Sequence, residues 1–501
     1  MDIKRAKQEI KNTISAYLAK DSMGDYKIPQ MNQRPILLIG PPGIGKTQIM
    51  EQVAKECKVG LVAYTITHHT RQSAIGLPFI KEKVYGGKSY TVTEYTMSEI
   101  IASVYEKIEK TGNKEGILFL DEINCVSETL APTMLQFLQC KMFGNQSVPQ
   151  GWIIVTAGNP PEYNKSVRDF DVVTLDRIKK ISVAASYPVW KEYAYLNQVH
   201  PAILSYLELR RENFFRIETS VDGKMFVTAR GWEDLSRFIY VMEELGQTVD
   251  REVVSQYIQF PLIAKDFANY LDLYYKYKQD YGVEEILEGK YTTITLQKMR
   301  LAPFDERLSV VGLFNGKLGE YFYEGYLKER YIEKLYDCLV DWRENLKEKS
   351  LEEIKKEAEQ AYEKDKKAEI LSKEAQILAR KVLNSLEKYC KKIVGITDKN
   401  KAYEKVKELF YAEDKDREDL VEKTGRALQN AFEFIEAAFG EQQEMVAFMT
   451  ELNANYYAIS FIKSNGSPLY YKHNKGLLFD KRQKEILNQM EDVEELLNST
   501  L

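Results

Sequence analysis

The chain has 501 residues, more than one hydrophobic core organises, so two to four domains are expected, with three the central expectation. Its 44% hydrophobic and 12% aromatic content, with 27 Gly and 14 Pro, excludes wholesale disorder and a low-complexity polymer. Seventy Lys and Arg against 75 Asp and Glu leave a formal charge of −5, which argues against a surface built to neutralise nucleic-acid backbones.

No apolar run approaches the roughly 20 residues that span a bilayer, and the start, Met1 to Arg5, is charged where a secretory signal is apolar. A soluble, cytoplasmic protein with no membrane partner is therefore expected. Cys57, Cys125, Cys140, Cys338 and Cys390 are far apart with no C-x-x-C spacing, which predicts reduced, mostly buried thiols. His68 and His69 are adjacent and point opposite ways in extended chain, which suits no single metal.

An amphipathic opening with Ile10, Ile14, Tyr17 and Leu18 leads to Ile36-Leu37-Leu38-Ile39, a short apolar run that reads as a buried strand. Gly40-Pro41-Pro42-Gly43-Ile44-Gly45-Lys46-Thr47 follows and satisfies G-x-x-x-x-G-K-[ST], between that strand and a helical run over about 46 to 57. Glycines let successive N–H groups curl around a phosphate chain, and the helix adds its positive end. Lys46 would neutralise the outer phosphates and Thr47 would offer a hydroxyl to Mg²⁺. ATP and Mg²⁺ are the cofactors this pattern calls for.

Ile117-Leu118-Phe119-Leu120 reads as a second buried strand, delivering Asp121 and Glu122 at its C-terminal edge. Asp121 would hold the Mg²⁺ and Glu122 would polarise the attacking water as general base. A third β-rich run, Trp152 to Ala157, ends at Gly158-Asn159-Pro160, where the Asn159 amide would orient water against the γ-phosphate. Leu130, Met134, Phe137 and Leu138 recur at helical spacing between these runs, which completes a β-α-β unit.

From Pro188 the composition turns helical and aromatic, so the α/β domain is expected to span 1–190 and a helical lid 191–310. Within the lid, Thr228 heads a predicted helix whose apolar face is Trp232, Leu235, Phe238, Ile239 and Met242. Arg230 lies in its first turn, where a cation opposes the helix dipole and needs another reason to be present.

The remainder, 311–501, is helical in composition and carries no catalytic signature. Residues 347 to 369 hold seven basic and eight acidic side chains, a solvated helix face rather than a nucleic-acid tail. From Asp341 to Val394 the apolar spacing fits either one long helix or a helical hairpin, and the irregular stretch at Lys364 to Lys367 favours the hairpin. The aromatic tail, Phe432 through Tyr471, reads as core.

The chain resembles AAA+ ATPases, and among them the MoxR-like branch with an insertion in its second helix. The resemblance rests on the P-loop, on Leu120-Asp121-Glu122-Ile123-Asn124, on Gly158-Asn159-Pro160, and on Leu175-Asp176-Arg177, which is similar to the family's L-D-R-F. It implies an α/β AAA+ P-loop domain, a parallel sheet flanked by helices, followed by a helical lid and a mostly α-helical C-terminal domain. It further implies that a hairpin around Val84-Tyr85-Gly86-Gly87-Lys88-Ser89-Tyr90 is the insertion and faces the pore of a ring.

By the same resemblance, Arg177 would reach into a neighbour's site as the trans-acting arginine, with Arg168 the second candidate, and Arg230 would be the lid's sensor of the γ-phosphate. The family implies a homo-oligomer, a hexameric ring, and a protein client with a von Willebrand factor A domain. Cys125, where an arginine commonly follows D-E-I-N, marks a divergent member. ATP-driven remodelling of a protein partner is the expected function. A nucleic-acid motor or loader, and a nucleotide-gated scaffold with slow turnover, are the two alternatives.

Overall fold

A computed structural model of the protein describes residues 1–68, 74, 76–144, 146–163, 167, 170–220, 223–367 and 371–475. The chain divides into two compact units, one of Met1–Val189 with Thr228–Arg230 and Glu359–Ile377, the other of Trp190–Val227, Gly231–Ala358 and the chain from Leu378 on.

The first unit is an α/β layer. Its strands run β1 (Ile36–Ile39), β2 (Gly60–Thr65), β3 (Pro78–Tyr85), β4 (Lys88–Tyr95), β5 (Gly116–Asp121), β6 (Met142–Phe143), β7 (Gln146–Ser147), β8 (Trp152–Gly158) and β9 (Lys179–Ser182). Five of them form one sheet in the order β2-β5-β8-β1-β9, every neighbouring pair parallel. The three central strands are the most apolar. Leu37, Leu38, Ile117 to Leu120 and Ile153 to Val155 are all buried, as a parallel sheet covered on both faces demands.

Helices α1 (Ile3–Tyr17), α2 (Lys46–Cys57), α3 (Glu99–Thr111), α4 (Ala131–Cys140) and α5 (Val172–Asp176) belong to this unit. Ile100, Ile101 and Val104 of α3 and Met134, Phe137 and Leu138 of α4 enter the same core as Leu37, Leu118 and Ile154. Tyr105, next to Val104 on α3, is 43% exposed. Register brings the C-terminal ends of the central strands together: Ile39 pairs with Gly158, and Leu120 with Thr156. Three strand ends therefore open on one edge.

Strands β3 and β4 form the hairpin expected around Gly86-Gly87, paired from Pro78 with Tyr95 to Tyr85 with Lys88. Gly86 and Gly87 turn it with φ of 57° and 80°, the left-handed pair that a two-residue hairpin requires. Its side chains are mostly exposed, Ile80 at 76% and Val84 at 69%.

The second unit is mostly helical, with a two-stranded antiparallel hairpin of Arg216–Ser220 and Gly223–Val227. Trp232, Leu235 and Ile239 of the helix Ala229–Glu244 are fully buried, as the predicted stripe requires. Its longest helices are Phe304–Glu344 and Lys399–Phe439, and the first of these runs through position 310, where a domain boundary was expected. The stretch from Asp341 to Val394 is not one helix. It breaks after Glu344, resumes over Leu351–Lys367 and again over Lys373–Ile393.

Leu351, Ile354, Leu378, Val382 and Leu386 close one core with Leu335, Leu339 and Trp342 on one side and Val406 and Phe410 on the other. The charged run is thus one segment of a four-segment bundle. In the tail, Phe432, Phe434, Phe448, Tyr457 and Phe461 are buried, while Tyr456 and Tyr471 are about half exposed. All five cysteines are free thiols, and only Cys390 is buried rather than partly exposed, so the expectation of mostly buried thiols does not hold. No helix among the described residues is long and apolar enough to cross a membrane.

Candidate functional site

The loop from Gly40 to Thr47 joins β1 to α2 at the edge where the strand ends open. Gly43 (φ 73°) and Gly45 (φ 90°) hold left-handed conformations that an L side chain resists. Gly43 is also constrained by space: a Cβ there would sit 2.9 Å from Thr228, at the start of the helix that carries Arg230. At Gly40 a Cβ would meet the Val183 carbonyl at 2.6 Å. Loop, sheet and the 228–230 segment are packed too closely for other residues.

Lys46 is only 8% exposed, and its ammonium has three neutral acceptors: the carbonyls of Gly40 (2.8 Å) and Pro41 (2.7 Å) and Asn159 Oδ1 (2.9 Å). Burial lowers its pKa from the ordinary 10.5 to about 8, against the opposing pull of Asp121. Arg230 adds to the lowering and Glu122 opposes it. A desolvated cation held by neutral oxygens is poised to be stabilised by an anion.

Thr47 and Asp121 meet directly, with Thr47 Oγ1 donating to Asp121 Oδ2 at 2.7 Å. A hydroxyl beside a carboxylate, at the mouth of a phosphate-type loop, is a donor set of hard oxygens that fits Mg²⁺. Asp121 also accepts the Glu122 N–H at 2.9 Å, and Glu122 sits at φ 57°, a left-handed turn that carries its side chain off the strand line. Its carboxylate accepts a 3.1 Å hydrogen bond from Thr67 Oγ1, just past β2.

Asn159 is positioned from two sides. Its side-chain oxygen binds Lys46, and its backbone carbonyl accepts from Asn124 Nδ2 at 2.7 Å. Asn124 reaches that carbonyl only because residue 158 is glycine: a Cβ there would lie 2.3 Å from Asn124 Oδ1. Thr67 and Asn124 are the two site residues that sequence reasoning did not assign. Asn124 stood in the quoted D-E-I-N run, so a signal existed, whereas nothing near Thr67 in sequence announces its partner.

The two expected arginines differ. Arg230 joins the loop through its backbone, its N–H donating to the Gly43 carbonyl at 3.3 Å, and its side chain is exposed. Arg177 lies at the end of α5, a five-residue helix capped by Asp171, whose side chain accepts from Thr174 N at 2.7 Å. Leu175 packs on the core, while the Arg177 guanidinium is exposed and donates to Gln139 on α4. Arg177 is thus held at the surface by α4, not gathered with Lys46, Thr47, Asp121 and Asn159. Arg168 and His69 lie outside the described residues.

Residues 36–175 match the family model described as ATPase family associated with various cellular activities (AAA). The matched segment runs from the first residue of β1 into α5, so it holds the P-loop, Asp121, Glu122 and Asn159 and stops short of Arg177 and Arg230. No curated protein matches the chain. The family match supports an AAA+ P-loop ATPase, a class that binds ATP, typically with Mg²⁺.

Proposed function

We propose that this AAA-domain protein is a MoxR-like ATPase that works as a homo-oligomeric, hexameric ring and spends ATP hydrolysis on remodelling a protein client. The observation that carries the reading is the convergence of Lys46, Thr47, Asp121 and Asn159 within hydrogen-bond reach at three adjacent strand ends.

In this reading the P-loop amides from Gly40 to Thr47 bind the phosphates, and Lys46 exchanges its carbonyl and amide partners for the outer phosphate oxygens. Thr47 and Asp121 would hold Mg²⁺, which would supply neutralisation of phosphate charge. Glu122 accepts the proton of the attacking water, and Asn159 orients that water while Asn124 fixes its backbone. Thr67 restrains the Glu122 carboxylate until it is needed. Arg230, tethered to Gly43, reads the γ-phosphate at the lid's first turn, and Arg177 serves a neighbouring subunit from its surface position.

The β3–β4 hairpin supports a protein rather than a nucleic-acid client. Ile80, Val84, Tyr85 and Tyr90 are at least half exposed on a strand pair with little to bury them, and apolar surface of that kind marks a protein contact. A client with a von Willebrand factor A domain is the partner proposed.

The test is a pair of substitutions with different expected failures. Glu122→Gln should keep nucleotide binding and lower phosphate release by about 10²- to 10⁴-fold, the range for loss of a general base. Lys46→Ala should lose binding itself in a nucleotide titration. Light scattering should show assembly promoted by ATP, and capture with Glu122→Gln in ATP should retain the client. Normal turnover by Glu122→Gln would sink the assignment.

A further inference from the structure

The second unit holds a partly open cavity of 190 Å³ between the helices Pro201–Leu209, Phe304–Glu344 and Gln443–Ala454, lined by none of the P-loop site residues. Glycine makes the space. Gly312 and Gly316 allow the long helix to close on its neighbour, since a Cβ at Gly312 would lie 2.1 Å from Ser205 Oγ and one at Gly316 2.5 Å from Pro201. Gly319, one turn on, faces no such obstruction: its nearest contact would be Asn455 Nδ2 at 3.4 Å. Omission of a side chain there leaves volume open.

One lining residue is chemically unfinished. Asn315 is 8% exposed, and neither its Nδ2 nor its Oδ1 has a hydrogen-bond partner among the described residues. Buried amides are almost always paired, because burial strips their water without replacement. The other polar groups of the lining are largely committed. Glu451 binds Lys191 and Tyr195, Glu208 binds Lys191 and Arg211, Glu320 binds Lys317, and Asn455 Oδ1 caps the helix Tyr456–Asn465. Gln198 Nε2 donates to the Tyr195 carbonyl, so Asn315 is the buried lining amide with both its donor and its acceptor left for something inside the cavity.

We propose that this cavity is a binding site for a small, neutral, planar molecule that presents a cis-amide edge, as a primary amide, a lactam or a nucleobase does. Such an edge pairs with both Asn315 atoms at once, donor to acceptor and acceptor to donor, in the same geometry by which a carboxamide reads a base edge. Size agrees: an apolar cavity of about 150 Å³ admits a benzene-sized molecule, so 190 Å³ admits a ring with a few further atoms. An anion finds no free cation here among the described residues: the charged groups lining the space are Glu208, Glu320 and Glu451, and the cations paired with them do not line it. The apolar body would lie against Leu204, Val311 and the glycine face of the long helix.

The experiment uses the full chain with benzamide, toluene and benzoate as probes. Saturation-transfer NMR and a thermal-shift titration should show benzamide bound, toluene weaker by about tenfold for the lost hydrogen bonds, and benzoate not bound. Gly319→Leu should fill the cavity and abolish benzamide binding without disturbing the helix, where leucine is preferred to glycine. Ala447→Leu plugs the same space from the facing helix and serves if Gly319→Leu does not fold. Asn315→Leu should cost benzamide about tenfold and leave toluene unchanged.

Absence of benzamide binding at millimolar concentration would overturn the proposal. So would equal binding by wild type and the plugged variants, which would put the probe elsewhere, or equal affinity of benzamide and benzoate. Benzamide affinity unchanged in Asn315→Leu would remove the amide recognition on which the site rests.

Discussion

The two units each bury a lysine, and they treat its charge in opposite ways. Lys46 sits among neutral oxygens, the Gly40 and Pro41 carbonyls and the Asn159 amide, and Asp121, the carboxylate that acts on it most, is engaged by Thr47. Lys191, in the helical unit, is clasped by Glu208 at 2.6 Å and by Glu451, which Tyr195 also binds. Burial pushes the Glu451 carboxyl above its ordinary value, against the pull of Lys191.

The difference teaches what a buried cation is for. Neutral acceptors solvate an ammonium without cancelling it, so the charge is left for an anion to claim; carboxylates cancel it on the spot, and the group becomes a strut. Lys141 shows that neutral acceptors are not sufficient. It donates to the carbonyls of Gln30 and Gln33, and burial lowers its pKa to about 8 as well, yet no glycine loop surrounds it, and it ties the 30–33 segment to the end of α4.

The largest effects belong to the site. Mixing Arg177→Ala with Glu122→Gln, each nearly inactive alone, should regenerate sites that pair an intact Glu122 with a neighbour's intact Arg177. A trans-acting arginine is worth about 10³ to 10⁵ in rate in related P-loop systems, so recovery would stand well above the parents. A mixture as dead as its parents, with co-assembly verified, would make the Gln139 contact the whole role of Arg177; recovery with Arg168→Ala in its place would move the assignment there.

Lys191→Met breaks the comparison from the other side. It leaves Glu208 and Glu451 without their shared cation, and loss of one partner from a buried ion pair typically costs about 3–5 kcal/mol. Urea unfolding should show that loss while the nucleotide affinity of the folded protein is unchanged. Equal stability would mean that the helical unit does not depend on cancelling this charge.

The pH response sharpens the contrast further. Below about pH 8 Lys46 is charged in the free protein, and above it the native state loses a proton that the unfolded chain, with a lysine near 10.5, retains. The lysine's contribution to stability therefore rises with pH between those two values, since the unfolded chain binds more protons there. Phosphates favour the charged form, so nucleotide binding should be flat below about pH 8. Above that it should weaken by up to about tenfold per unit, with a proton taken up on binding. Calorimetry in buffers of different ionisation enthalpy reads that proton, and none at pH 9 would mean that Lys46 stays charged throughout.

The smallest effect is expected on the hairpin, which belongs to neither pattern. Ile80→Ser with Val84→Ser removes two side chains that nothing covers, so thermal stability should move by no more than about 0.5 kcal/mol. A larger loss would show that the hairpin is packed in the assembled protein.

The site was legible in unequal parts. Gly43, Gly45 and Lys46 announce themselves because a phosphate loop needs left-handed turns and a lysine at fixed local spacing, and Asp121 because an all-apolar run must end where a buried strand emerges. Thr67 and Asn124 carried no such local demand. Their partners, Glu122 and Asn159, lie 55 and 35 residues away and are reached only through the strand order β2-β5-β8-β1-β9. The Arg177–Gln139 contact, 38 residues apart, is of the same kind.

What the amino-acid order determines on its own is everything enforced within a few residues: the glycine-governed loop, the apolar central strands, the two-glycine hairpin, the buried stripe of the helix Ala229–Glu244. The break after Glu344 was not among these, because the residues on both sides are good helix formers; the chain turns there so that Leu351 and Ile354 can close a core with Leu339 and Val406. Tertiary structure also decided which lysine is cancelled and which is left available, and that Asn315 faces a cavity. Those outcomes depend on which atoms replace lost water, and only the packed fold sets that.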